Sequence, residues 1–112
     1  SGEDKAQAFA FFHGLGLEAG DSVAAFIEGS CVGVGFPDGD FVTVPVMNGA
    51  LVGGQPVTFQ WYDASADAME DLNTSPEVSW SLNAQWWMGC LEAEASNFAS
   101  WADYGTDTCV VE

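Results

Sequence analysis

Positive charge is almost missing from this chain. One Lys, no Arg and one His stand against 17 Asp and Glu, for a formal net charge of -16 over 112 residues. Phosphate contacts need Lys and Arg to displace condensed counterions, so the composition excludes a nucleic-acid binder. The same deficit excludes docking on anionic lipid. No apolar run approaches the roughly 18 residues of a membrane-spanning helix, so membrane insertion is not expected. No C-x-x-C spacing exists among the three cysteines, which argues against a zinc site. There is no nucleophile-elbow signature around any Ser, and His13 is the one imidazole that could serve a Ser-His-Asp system. Carboxylates are so numerous that a glycosidase-like pair among them carries no information. The expectation is a protein that is not an enzyme.

Plenty of apolar material is present. Hydrophobic residues make up 48% of the chain and aromatics 13%, so this is no disordered acidic tail. The length suits one domain with one core. Gly, Phe, Trp, Val and Thr together favour short strands joined by tight turns. Ala6 to Phe12 reads as a strand with Phe9 and Phe11 on one face. Ser22 to Glu28 and Cys31 to Gly35 read as a hairpin around Glu28-Gly29-Ser30. Phe41 to Val46 and Pro56 to Tyr62 follow as strands, and Glu77 to Leu82 alternates again. Ala68 to Leu72 fits a short strand or one helical turn. Thr108 to Val111 fits a last strand. Leu91 to Trp101 is the one stretch with helical character. Strands at this spacing predict an all-β fold, an antiparallel β-sandwich of Ig-like or jelly-roll-like type. A flexible arm at residues 1–5 precedes a single domain at 6–112, whose residues 90–112 form a C-terminal extension that holds the short helix.

The stretch Gly20-Asp21-Ser22-Val23-Ala24-Ala25-Phe26-Ile27-Glu28-Gly29-Ser30-Cys31-Val32-Gly33-Val34 resembles the "GDxVGAFxGxxCVG" segment of β-sandwich modules in secreted microbial and algal surface proteins. Gln7-Ala8-Phe9, Val44-Pro45-Val46-Met47 and Pro56 to Ser65 fall in the same order as in those modules. The resemblance spans about residues 7–72. It implies an extracellular structural, adhesive or assembly role without catalysis. Residues 35–43 lack the cysteines that some such modules carry, and 90–112 look like an addition.

Cys90 and Cys109 bracket a loop that one disulfide could close. Cys31 has three readings: a small buried core residue, a partner for one of the other two, or an intersubunit bridge. The acidic turns are the candidates for a hard cation, with calcium the ion that suits them. Asp38 and Asp40 flank Gly39, and Asp63 and Asp67 bracket another turn. The alternative for these residues is a solvated turn. Asn73-Thr74-Ser75 is a glycosylation sequon followed by Pro76.

Adjacent Trp86 and Trp87 must point to opposite faces of a strand, so one of them lies on a sandwich edge covered by the C-terminal extension or meets solvent, a ligand or another chain. Tyr62 raises the same question opposite Phe59 and Trp61. The apolar terminal strands could complete their own sheets or pair with a neighbour's edge. Phe9, Phe11, Tyr62, Trp86 and Trp87 are therefore the candidate interface or ligand residues. Two functional expectations follow. One is an extracellular structural protein, a self-assembling subunit of a filament or surface layer whose partner is itself. The other is a carbohydrate-binding or adhesive module that takes glycans on its aromatic side chains.

Overall fold

A computed structural model describes residues 6–48, 54–81 and 83–110 of the chain. The expected N-terminal arm at 1–5 lies outside the described residues. The fold is a β-sandwich of two sheets, with no helix among the described residues.

Eleven strands are formed among the described residues: β1 Ala6–His13, β2 Ser22–Ile27, β3 Ser30–Gly35, β4 Pro37–Asp38, β5 Phe41–Asn48, β6 Pro56–Asp63, β7 Ala68–Leu72, β8 Thr74–Ser75, β9 Val78–Ser79, β10 Gln85–Gly89 and β11 Tyr104–Thr106. The first sheet has the order β4-β5-β1-β10-β11-β8. The second has the order β3-β2-β6-β7, with β9 also paired to β6. The second sheet is antiparallel throughout. In the first, β1–β10 and β10–β11 are parallel, which the hairpin-by-hairpin reading of the chain did not anticipate.

The terminal strand β1 completes its own sheet. It lies between β5 and β10, with Phe11 opposite both Thr43 and Trp87. Strict alternation sends Ala8, Ala10 and Phe12 inward from β1, and Val42, Val44 and Val46 inward from β5. Val23, Ala25, Ile27, Val57, Phe59 and Leu72 answer them from the second sheet. Phe12 and Phe59 meet edge to face across the layer, with centroids 5.0 Å apart. Such a buried aromatic is worth about 3–5 kcal/mol against truncation to Ala.

The two sheets come closest where β3 lies against β5. A Cβ on Gly33 would collide with the Pro45 carbonyl, and one on Gly35 with the Thr43 carbonyl. Only glycine leaves room for backbone to lie on backbone there. The β2–β3 hairpin turns through Glu28 and Gly29 with φ of 52° and 82°, the pattern of a type I′ turn. A register shift between Ala25 and Phe26 leaves Val32 as the extra residue of a bulge. The bulge sets Cys31 opposite Phe26, where it is exposed and free. Cys31 is thus no buried core residue: the inward positions of β3 belong to Gly33 and Gly35.

The C-terminal region corrects two expectations. Residues 91–101 form successive turns and no helix. Ala95 N and Phe98 N donate to carbonyls three residues back, as in isolated turns, while Ser96 N goes to Val110 O and Ala99 N to Cys90 O, so an i to i-4 ladder never closes. Thr108 to Val110 is not a strand; the strand is Tyr104–Thr106, inserted between β10 and β8. Residue 111 lies outside the described residues. The expected strand at Glu77 to Leu82 shortens to Val78–Ser79, with Leu82 outside the described residues. Cys90 and Cys109 form the disulfide.

Candidate functional site

Alternation along β1 puts Phe9, Phe11 and His13 on the outer face of the first sheet. Register then decides their company. Pro45, Thr43 and Phe41 of β5 stand opposite them in turn, and Trp87 of β10 lies beside Phe11. Phe11 and Trp87 stack with centroids 4.1 Å apart and planes within 16°. Phe9 continues the row, 6.2 Å from Phe11 and tilted by 21°.

The ribbon is closed by Trp101, from a turn far along the chain. Gly89 makes this possible. An added Cβ there would come within 2.8 Å of the Ala99 methyl, so the loop lies flat on β10 because Gly89 has no side chain. Ala99 N–H donates to Cys90 O at 2.8 Å and Asp103 N–H to Trp87 O at 2.9 Å, which pins the loop at both ends. Asn97 ties the same region to β1 and to the C-terminal segment: its Nδ2 donates to Gly14 O at 3.0 Å and to Thr108 O at 2.9 Å, and its Oδ1 accepts from Val110 N at 2.9 Å. Trp101 then meets Trp87 edge to face at 5.9 Å, stacks on Phe41 at 5.7 Å and contacts His13 at 5.4 Å.

The result is a continuous aromatic ribbon: Phe9, Phe11, Trp87, Trp101, Phe41 and His13. The outward positions of the three strands beneath it are Gln7, Phe9, Phe11, His13, Phe41, Thr43, Pro45, Met47, Gln85 and Trp87. None is a carboxylate, in a chain with 17 of them; Asp38 of β4, opposite Phe41, borders the ribbon at its edge. Trp101 is 45% exposed and Phe41 36%, with Phe9, Phe11 and Trp87 half-buried.

Of the residues singled out from sequence, the structure brings together Phe9, Phe11 and Trp87. Trp86 faces the other way: it is buried, packs edge to face on Trp80 at 6.2 Å and belongs to the core, so Trp87 is the outward member of the pair. Tyr62 lies on the second sheet, away from the ribbon. Its hydroxyl donates to Asp67 Oδ1 at 2.6 Å. That bond, partial burial and the charges of Asp67, Asp63 and Asp21 hold the Tyr62 pKa above its ordinary 10.0. Sequence reasoning missed Trp101, Phe41 and His13 as members of one surface. Each was visible as an aromatic or imidazole, but only the Gly89 contact and the β1–β5 register bring them together.

The carboxylates proposed for calcium fall on two separate hairpins. Asp38 and Asp40 belong to the β4–β5 turn, and Asp63 and Asp67 to the β6–β7 turn. Asp63 accepts from Ser65 N at 3.1 Å and Ser65 Oγ at 2.7 Å, so its turn is satisfied from within the chain. No group of three or more His, Cys, Asp or Glu is placed to hold a metal ion among the described residues. Asp21 has a different role. It is buried, and its carboxylate accepts from Glu18 N at 2.8 Å and Ala64 N at 2.9 Å, stapling the β1–β2 loop to the β6–β7 turn. His13 Nδ1 is buried without a hydrogen-bond partner among the described residues. A hollow of about 360 Å³ beside β6 and β7 is lined by Asp71, Glu77 and Asn73, with no histidine or cysteine.

Comparison with protein-family models, with curated proteins and with solved structures gives no match.

Proposed function

We propose that this protein is a non-enzymatic extracellular structural subunit that assembles with copies of itself through its aromatic ribbon. The observation that carries the reading is the ribbon's ring geometry together with the absence of carboxylates from the outward positions of β1, β5 and β10. A sugar platform offers a free ring face. Here Phe11 and Trp87 cover a face of each other at 4.1 Å. An uncharged strip of stacked rings on an otherwise anionic molecule suits burial against another apolar surface.

Further features support the reading. Cations that could stabilise a transition state are nearly absent from the sequence. The disulfide suits an oxidising compartment outside the cell. No helix among the described residues is long and apolar enough to cross a membrane. The resemblance of residues 7–72 to modules of secreted surface proteins points the same way. Repulsion between such anionic subunits requires screening, so assembly belongs to a salty or calcium-containing medium.

The test is sedimentation velocity and negative-stain electron microscopy of the pure protein in seawater-like salt with calcium. Filaments, sheets or large oligomers that fall apart in the Trp101→Ala variant support the reading. A strict monomer at high concentration overturns it. A monomer whose tryptophan fluorescence shifts with glycans would replace it with the carbohydrate-binding alternative, for which the rim residue Trp101 is the exposed ring.

A further inference from the structure

The sandwich carries a second uncharged patch on its opposite broad face. Gly33 and Gly35 face β5, so Val34 points outward from β3 and is 43% exposed. Phe36, the one residue between β3 and β4, follows at the edge where the chain passes from the second sheet to the first, and is 66% exposed. Phe26 of β2, opposite Cys31, completes the patch. No residue of β3 is charged, and neither are the outward residues Ser22, Ala24 and Phe26 of β2. Because β3 lies against β5, this patch sits behind the β5 side of the ribbon. Glu28 at the β2–β3 turn and Asp71 on β7 are the carboxylates of this face, while Asp38 lies on the first sheet opposite Phe41.

We infer that the aromatic ribbon of one copy docks on the Phe26–Val34–Phe36 patch of the next, so that copies stack head to tail through the thickness of the sandwich. The inference rests on the self-assembly reading above and names the contact. Charge selects the occupant. With 17 acids and one Lys, the chain has no cationic surface to set against its carboxylates, so copies can meet without like-charge contact only where both are neutral. Ribbon-on-ribbon pairing would close at a dimer and leave Phe36 and Val34 in water. The head-to-tail contact covers both patches on every interior copy and does not close, which is the geometry of a filament.

Size agrees with a weak, repeated contact. Two strands of eight residues and one of five, about 4.8 Å apart, span roughly 350 Å² in plan. That is about half the ~800 Å² per partner of a standard stable interface. Assembly should therefore need high protein concentration and salt that shortens the Debye length. Sheets packed about 10 Å apart within and between copies give a repeat of about 20 Å, close to the molecule's shortest extent of 22 Å.

The test uses two exposed positions. Trp101→Asp spoils the ribbon and Phe36→Asp spoils the second patch. Wild type, each variant and an equimolar mixture are compared by sedimentation velocity in about 1 M salt, where the Debye length is about 3 Å, after melting curves establish that both variants fold. The expected result is polymers from wild type, monomers from each variant alone, and a discrete dimer from the mixture, because one intact ribbon then meets one intact patch. The inference is overturned if wild type assembles but the mixture stays monomeric, or if Phe36→Asp alone forms dimers, which would mean ribbon-on-ribbon pairing. A wild type that never assembles sinks the self-assembly reading as well. The pair Phe41→Asp and Val34→Asp repeats the test at independent positions should either first variant fail to fold.

Discussion

Phe11 and Trp87 stack across the parallel β1–β10 ladder with centroids 4.1 Å apart and planes within 16°. They come from strands separated by most of the chain, and their contact forms the middle of the ribbon. Stacked aromatic pairs are worth about 0.5–1.5 kcal/mol beyond the area they bury. A double-mutant cycle with Phe11→Leu and Trp87→Leu, read by urea denaturation under conditions where the protein is monomeric, should give a coupling of about 1 kcal/mol. Strict additivity would mean that the rings stabilise the fold only through area.

Asp21 offers a sharper stability test. Both of its carboxylate oxygens accept backbone N–H groups, from Glu18 and Ala64, in a buried setting. Asp21→Ala strands both donors and should cost about 1–3 kcal/mol. Asp21→Asn keeps one acceptor and should cost less. Equal losses in chemical denaturation would show that the second bond contributes nothing.

The close approach of β3 to β5 predicts an unusual intolerance. Gly33→Ala or Gly35→Ala drives a methyl into a carbonyl of β5. Each should lower stability by about 3 kcal/mol or more, or prevent folding. Cys31→Ser, on the open side of the same strand, should stay within about 0.5 kcal/mol of wild type. Melting curves of the three variants decide the matter.

Tyr62 gives a pH signature. Its folded-state pKa is raised above the ordinary 10.0, chiefly because its hydroxyl donates to Asp67. Sign matters here: a raised pKa means the folded state holds the proton more tightly than the unfolded chain. The contribution is therefore fully present below about pH 10 and is lost as pH rises through the raised value. In a Tyr104→Phe background, which leaves Tyr62 as the chain's single tyrosine, tyrosinate absorbance should titrate above pH 10. Asp67→Asn should move the midpoint down toward the ordinary value. Asn suits that position, where φ is 50°. An unchanged midpoint would refute the Asp67 carboxylate charge as the cause.

The disulfide between Cys90 and Cys109 closes a loop across 19 residues of sequence. Replacing both cysteines by Ala should cost about 3 kcal/mol in the chain-entropy account. The double variant should unfold at correspondingly lower urea. An unchanged midpoint would mean that the Asn97 network and the β10–β11 pairing already constrain the segment.

Much of the architecture was legible because strand alternation is a local property. Val23, Ala25 and Ile27, or Val57 and Phe59, announce one buried face without reference to any partner. The opposed directions of Trp86 and Trp87 follow from the same geometry. The 91–101 segment was misread as helical because Glu92, Ala93, Glu94 and Ala95 favour helix locally, while the backbone bonds that decide the matter go to Cys90 and Val110. Strand β11 was missed because Tyr104–Thr106 is only three residues long and is held by pairing on both sides.

The sequence by itself determined the charge, the all-β class, the alternating inward and outward sets along each strand, and the supply of aromatics. These depend on composition and on a two-residue period, which need no knowledge of distant neighbours. Only the tertiary structure decided which aromatics meet, that Trp86 is core and Trp87 surface, that Cys31 stays free, and that Asp21 spends its carboxylate on backbone donors. Those outcomes depend on strand order, register and the two close approaches at Gly33–Gly35 and Gly89. Each is a contact between segments far apart in the chain, and no local pattern encodes which segments those are.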